Sequence, residues 1–167
     1  MMVKYPNLIP ECNVDTVFVE AIGFKEPNHA SSIAGVLAIL ERAPTKENVI
    51  GFIDNDKKKP LYFKQFESVK EMGSVGFYKH VDKNRYLVVV RPAMDKFLFD
   101  LCVKYINNWP QRVPNTFEAF LPFTKQTAVL KNNDFKNLLN TLVQAKPPEI
   151  VEIKDFVLER GFRPTRG

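Results

Sequence analysis

The chain has 167 residues, and with 45% of them hydrophobic it can bury one substantial core. The net charge of +5 favours an anionic partner such as nucleic acid without requiring one. Cys12 and Cys102 lie far apart and no charged-then-apolar leader is visible, so we expect a reduced, cytoplasmic protein rather than a secreted disulfide framework. No apolar run approaches the roughly 18 to 20 residues that cross a bilayer, which argues against a membrane span.

Two amphipathic helices are predicted in the N-terminal part. Apolar side chains recur with helical spacing over residues 14–22, where Asn13 can cap the helix and Gly23 can end it. The β-branched run 16–19 would also suit a strand, but we favour the helix. A second helix is predicted from residue 33 up to Ala43-Pro44.

A short apolar strand over residues 48–53 ends in two carboxylates, Asp54 and Asp56. Its continuous hydrophobicity suits an inner strand that is covered on both faces. Ligands bind beyond the carboxyl ends of such strands, and paired buried charges need a cation or a basic partner. The pattern therefore indicates a metal site, although Asp54-Asn55-Asp56 is also typical of an ordinary polar turn.

The remaining elements are mostly helical. Strands over residues 74–81 and 85–90 are predicted to form a hairpin through Asp82-Lys83-Asn84. A clear helix follows over residues 93–107, with Asp95 in its first turn. Then come an aromatic segment at 117–123, a helix at 135–143, an amphipathic stretch at 150–157 and a basic tail at 160–167 that we expect to be loose.

Other chemistries have little support. The glycines form neither a Walker loop nor a dinucleotide fingerprint. The two histidines and two cysteines show no zinc-ligand spacing and no pattern typical of a thiol enzyme. The 14 phenylalanines mostly fall at core-type spacings and are interpreted as packing before base stacking.

The order of the acidic motifs resembles the toprim domain of primases, topoisomerases, recombination-repair proteins and overcoming-lysogenization-defect nucleases. In that family one strand ends in Glu-Gly-x-x-Asp, which opens a helix, and a later strand ends in Asp-x-Asp. Here Glu11-Cys12-Asn13-Val14-Asp15 and Asp54-Asn55-Asp56 take these positions. The similarity covers residues 4–92, and Asp95 matches an acidic helix start of small standalone relatives. Cys12 replaces the glycine, so the backbone freedom of that turn is lost, and no glycine follows Asp56.

The resemblance implies a particular fold. We expect a toprim-like, Rossmann-type α/β domain over residues 1–110, with an open, mainly parallel sheet flanked by helices. Residues 111–167 are expected to form a mostly helical extension packed on the same domain.

The resemblance also implies a magnesium-dependent nuclease or related phosphodiester enzyme, in which Mn²⁺ can replace Mg²⁺. Glu11 is expected to act as general base or acid while the aspartates hold the metal. The expected catalytic residues are Glu11, Asp54 and Asp56, the further candidate ligands are Asp15 and Asp95, and the candidate nucleic-acid contacts are Lys57, Lys58, Lys59 and Lys125.

Two alternatives to the nuclease stay open. One is a catalytically inactive toprim-like module that binds DNA, RNA or a partner protein. The other is a structural α/β protein in which the acidic turn has no chemical role. Some toprim relatives work with a partner subunit such as an ATPase, and the resemblance leaves such a partner open here.

Overall fold

The computed structural model describes residues 4–44, 46–55 and 58–165. Its five strands are β1 (Leu8–Pro10), β2 (Val49–Asp54), β3 (Phe66–Met72), β4 (Val75–His80) and β5 (Arg85–Val90). The α-helices are α1 (Asn13–Ala21), α2 (Ile33–Arg42), α3 (Met94–Tyr105), α4 (Phe117–Lys125), α5 (Asn133–Gln144) and α6 (Pro148–Glu159). Short 3-10 helices span Leu61–Gln65 and Thr127–Lys131. Among the described residues, no helix combines the length and apolar character needed to cross a bilayer.

The strands form one open sheet in the order β1-β2-β5-β4-β3. β1, β2 and β5 run parallel, whereas β4 and β3 are antiparallel to their neighbours. The fold is α/β as expected, but the expectation of a mainly parallel sheet is wrong. The physical reason is that β3, β4 and β5 are joined by tight turns, and parallel neighbours need a crossover of about a dozen residues or more.

Helices cover both faces of the sheet. On one face, α1, α3, α5 and α6 pack on inward-pointing strand residues such as Phe52 and Val88. On the other face, α2 packs on Ile53, Leu87 and Val89. Gly51 lets α2 approach β2 closely, because a Cβ there would lie 2.5 Å from Cγ1 of Val36. The C-terminal helices thus share one hydrophobic core with the sheet, and they complete its cover.

A buried arginine ties the end of α2 to the start of β5. Arg85 is 4% exposed. Its Nε donates to the carbonyl oxygen of Leu40 at 2.9 Å, and its Nη2 donates to the carbonyl oxygen of Ala43 at 2.8 Å. Its Nη1 donates to the carbonyl oxygens of Glu47 and Asn84. The last carbonyls of α2, which have no partner within the helix, are satisfied in this way.

The C-terminal tail is held in place as far as Thr165, contrary to the expectation of a loose end. The hydroxyl group of Tyr5 donates to the carbonyl oxygen of Arg163 at 2.6 Å. The backbone amide of Thr165 donates to the carbonyl oxygen of Gly23 at 2.6 Å. These contacts join the tail to the segment before β1 and to the loop after α1, and the last two residues of the tail lie outside the described part.

His80 organises the turn between β4 and β5. Its Nδ1 accepts hydrogen bonds from the backbone amides of Asp82 and Lys83, so Nε2 carries the proton that faces Oε1 of Gln65 at 3.0 Å. Burial and, after it, the charge of Lys83 lower the pKa of His80. A protonated Nδ1 could not accept either amide.

This arrangement predicts a pH-dependent loss of stability. Because the pKa of His80 is lowered in the folded state, its contribution is present above the unfolded pKa of about 6.5 and is lost as the pH falls. The slope from one such group is at most about 1.4 kcal/mol per pH unit. We expect His80→Asn, whose carbonyl can still accept the amides, to lack this rising contribution, so that the stability of the wild type relative to the variant in urea increases from pH 5 to pH 7. The exposed His29, replaced in the same way, should leave the dependence unchanged, and equal slopes for all three proteins would contradict this role.

Candidate metal centre

The two acidic motifs meet at one edge of the sheet. Asp54 is the last residue of β2, Glu11 directly follows β1, and these strands pair in parallel with Pro10 opposite Phe52. Their carboxyl ends therefore lie side by side. The backbone amide of Asp54 donates a hydrogen bond to Oε2 of Glu11 at 3.1 Å. Glu11 and Asp54, from the two acidic motifs, thus lie in hydrogen-bonding contact.

Asp15 brings a third carboxylate to this edge. It occupies the first turn of α1, four residues after Glu11. Carboxylate oxygens of Glu11, Asp15 and Asp54 lie within 4.8 Å of one another. The three residues are 2%, 1% and 4% exposed, respectively. We refer to Glu11, Asp15 and Asp54 as the carboxylate centre.

Asp15 is the member of the carboxylate centre whose buried charge is least compensated by hydrogen bonds. Neither of its carboxylate oxygens has a partner with hydrogen-bonding geometry among the described residues. Its pKa is raised well above the usual range, first by burial and then by the charges of Asp54 and Glu11, while nearby groups of Cys12 act in the opposite direction. A buried carboxylate of this kind is costly unless a proton or a cation neutralises it.

Backbone amides at helix starts partly stabilise the centre. α3 begins beyond the end of β5, which pairs with β2 so that Val90 lies opposite Asp54. The backbone amide of Met94, the first residue of α3, donates to Oδ1 of Asp54 at 2.8 Å. The first turn of α1 holds Asp15, and a helix N-terminus carries a partial positive charge. These groups favour ionised carboxylates.

Cys12 fits its position without strain. As the N-cap residue of α1 it has φ −137° and ψ −176°, an extended conformation open to any amino acid. The toprim pattern has a glycine at this position, but the backbone of Cys12 is not left-handed. A residue with a side chain therefore has no conformational cost here. Burial, and next the charge of Asp15, raise the pKa of the thiol far above neutrality. The thiol is protonated and is not an activated nucleophile.

Asp95 and Lys125 form a separate pair beside the carboxylate centre. Asp95 is 3% exposed, and its Oδ1 accepts a hydrogen bond from the backbone amide of Lys96 at 2.8 Å. Its Oδ2 lies 3.4 Å from Nζ of Lys125 on α4. Asp95 is not part of the three-carboxylate group found among the described residues. The structure thus gives it an ammonium partner, and Lys125 comes from the C-terminal helices.

The lysine run after β2 is described only in part. Asp56 and Lys57 lie outside the described residues. Lys58 is exposed. Lys59 donates from Nζ to Oδ1 of Asn55 at 2.9 Å, which places its ammonium group next to the residue that follows Asp54. Positive charge therefore borders the carboxylate centre.

Two aromatic side chains near this edge were not singled out from the sequence. Phe63 in the 3-10 helix Leu61–Gln65 and Tyr78 on β4 are both half-buried, with ring centroids 5.4 Å apart. Sequence spacing gave no signal for this pairing, because it depends on how the 3-10 helix packs on the β3-β4 hairpin. Arg91, which directly follows β5, gave no signal either, because its partners Glu71 and Tyr78 lie on β3 and β4.

Fold and site together define an α/β protein with a buried carboxylate centre at the carboxyl edge of an open mixed sheet. Comparisons with protein-family models, with curated proteins and with solved structures found no match for this chain. The toprim resemblance therefore stays a prediction.

Proposed function

We propose that the protein is a magnesium-dependent nuclease or a related enzyme that processes phosphodiester bonds in nucleic acid. The observation that carries this proposal is the carboxylate centre, in which oxygens of Glu11, Asp15 and Asp54 lie within 4.8 Å of one another. Its supports are the chemistry of the donor set, the position of the centre in the sheet and the toprim resemblance of the two motifs.

The donor set suits a hard divalent cation. All three side chains offer carboxylate oxygens, which Mg²⁺ and Mn²⁺ prefer over nitrogen or sulfur. Oxygens bound to one Mg²⁺ at about 2.1 Å lie roughly 3 to 4 Å apart, and the oxygens of the carboxylate centre all lie within 4.8 Å of one another. The orphaned oxygens of Asp15 supply the independent indication, because a cation would offset the cost of their burial.

Each residue has a distinct task in this proposal. Asp15 and Asp54 hold the ion, and the amide of Met94 fixes the orientation of Asp54. A bound divalent cation would stabilise negative charge on the phosphate oxygens. Glu11 is the candidate general base or acid, a role that the resemblance implies, and the amide of Asp54 fixes its position. The neighbouring lysines, among them Lys58 and Lys59, attract the phosphate backbone.

A catalytically inactive module that binds nucleic acid is the second candidate. The observation in its favour is that Glu11 and Asp54 each accept a backbone amide, so the fold itself engages part of their hydrogen-bonding capacity. Under that proposal the basic border would bind nucleic acid, and the carboxylate centre would hold no catalytic metal. A partner subunit such as an ATPase is compatible with either candidate.

A cleavage assay distinguishes the two functions. Labelled single- and double-stranded DNA and RNA are incubated with the protein in Mg²⁺, in Mn²⁺ and in EDTA. We expect cleavage of at least one substrate with metal, and none in EDTA or with Asp54→Asn. Cleavage that persists in Asp54→Asn would point to a contaminant or another site, and binding without cleavage under every condition would favour the inactive module.

A further inference from the structure

An aromatic pair with a lysine beside it lies on the same face of the sheet as α2, at β4, where the 3-10 helix Leu61–Gln65 packs. Phe63 and Tyr78 are half-buried, and their rings are tilted by 52° with centroids 5.4 Å apart. Nζ of Lys59 lies 5.1 Å from the centroid of the Phe63 ring. We refer to Phe63 and Tyr78 as the aromatic platform. Half-exposed rings next to cations are the common feature of surfaces that stack unpaired bases.

Hydrogen bonds fix the Tyr78 end of the aromatic platform, and a hydrogen-bonded lysine lies over its Phe63 end. The Nη2 of Arg91 donates to the hydroxyl oxygen of Tyr78 at 3.1 Å. The guanidinium group also donates two hydrogen bonds to the carboxylate of Glu71, at 2.6 and 3.1 Å. Gly76 makes room for the guanidinium group, since a Cβ at this position would lie 2.8 Å from Nη2 of Arg91. At the other end, Lys59 is held by Asn55. The platform is therefore ordered in advance, which lowers the entropic cost of binding.

The aromatic platform begins at the edge that carries the carboxylate centre. Asn55, the partner of Lys59, is the residue directly after Asp54. Arg91, the partner of Tyr78, directly follows Val90, which lies opposite Asp54 in the sheet. Because successive side chains of a strand alternate, Asp54 lies on the face of Phe52, whereas Tyr78 packs on the face of Ile53. A single strand bound at the carboxylate centre would therefore have to cross this edge of the sheet to bring a base to the rings.

We infer that the aromatic platform binds unpaired bases, so that the substrate or ligand of the protein is single-stranded nucleic acid. The inference rests on the proposed function, because it names the form of nucleic acid that reaches the proposed centre. Bases in a duplex are stacked on one another and cannot lie on a protein ring, whereas a single strand exposes every base face. Lys58 and Lys64 are exposed and adjoin Lys59 and Phe63 in the sequence, so they add positive charge to this segment, which suits a phosphate backbone.

Equilibrium binding in EDTA tests the inference without any metal. Fluorescence anisotropy is measured with a labelled 20-nucleotide mixed-sequence single strand, as DNA and as RNA, and with the matching duplexes. We expect the wild type to prefer a single strand over its duplex. Phe63→Leu combined with Tyr78→Leu should weaken single-strand binding about tenfold or more, since stacking on a ring is worth roughly this factor per base.

Matched variants separate stacking from a loss of structure. Tyr78→Phe keeps the ring and should keep most of the affinity. Tyr105→Leu removes a half-buried ring that also has a lysine beside it, but at the far end of α3, and should change nothing. Lys59→Met leaves the rings in place and should lower the slope of log affinity against log salt by about one.

Failure of this inference is distinguishable from failure of the proposed function. Equal affinity for single strand and duplex, or unchanged binding by the double leucine variant, would overturn the inference even if the carboxylate centre binds metal. Absence of metal binding or cleavage would remove the enzyme, but a preference for single strands that depends on the rings would still support the aromatic platform.

Discussion

Replacing Asp15 by asparagine should stabilise the metal-free protein and remove its response to divalent cations. In EDTA at pH 7 we expect the free energy of unfolding to rise by about 1 to 3 kcal/mol, since an amide of the same shape avoids the burial of a third carboxylate and can donate to its neighbours. In Mg²⁺ or Mn²⁺ the wild type should gain stability by mass action and the variant should not. Urea denaturation, with and without metal, measures both effects.

The pH dependence supplies a second signature of Asp15. Its pKa is raised in the folded state by burial and by Asp54 and Glu11. The folded protein therefore binds more protons than the unfolded chain above about pH 4, and its stability in EDTA falls as the pH rises from there towards the raised pKa. Asp15→Asn should flatten this fall.

Asp134→Asn is the matched control for Asp15→Asn. Asp134 also lies in the first turn of a helix, α5, but it is only partly buried and is not part of the carboxylate centre. Its replacement should cost a few tenths of a kcal/mol to about 1 kcal/mol through the helix dipole and leave the metal response intact. A clear destabilisation by Asp15→Asn in EDTA would contradict the idea that the buried charge is uncompensated.

Replacing Arg85 by methionine should destabilise the protein by about 3 to 5 kcal/mol, since each buried carbonyl left without a donor costs about 1 to 3 kcal/mol. The apolar stem can be mimicked, but the carbonyl oxygens that the guanidinium group satisfies would lose this donor, although that of Asn84 would keep another, the backbone amide of Val49. Two of these carbonyls, of Leu40 and Ala43, end α2, so the cover over one face of the sheet would loosen with them. The midpoint and slope of urea denaturation measure the loss.

Lys83→Met is the control for Arg85→Met, because it removes an exposed positive charge from the same turn. It should change stability by no more than about 0.5 kcal/mol. Any metal affinity should survive in folded Arg85→Met, since Arg85 starts β5 while Val90, which lies opposite Asp54, ends it. A loss below about 1 kcal/mol would show that water or a rearranged turn replaces the guanidinium group.

Local periodicity predicted most helices and the central strands. The apolar run before Asp54 gave β2, the tripeptide after His80 gave the β4-β5 hairpin, and the stripe from Met94 gave α3. These elements bury a regular face, so their sequence spacing carries their structure.

β3 was missed because it buries almost nothing. Residues 67–71 are all exposed, and the strand carries a register shift between Ser68 and Lys70. Its position depends on backbone pairing with β4 across the turn at Gly73, where φ is +55°. A strand held by hydrogen bonds at a sheet edge leaves no apolar alternation in the sequence, whereas the expectation of a mainly parallel sheet came from the toprim resemblance.

The candidate site was predictable where a motif and a strand end coincide. Glu11 and Asp54 follow this rule, because each stands at the carboxyl end of a parallel strand. Whether Asp15 supports or repels its neighbours could not be predicted from spacing, since that depends on its burial and on the absence of hydrogen-bond partners for its oxygens within the described part of the chain. The pairing of Asp95 with Lys125 depends on where α4 packs against α3, a contact between distant parts of the chain.

Binding of Mn²⁺, followed by electron paramagnetic resonance, tests the central claim most directly. The account predicts that the wild type binds Mn²⁺ at or below millimolar concentration, that Mg²⁺ competes for the site, and that Glu11→Gln combined with Asp15→Asn abolishes binding while the variant stays folded. An absence of binding at millimolar Mn²⁺, or equal binding by wild type and double variant, would contradict it.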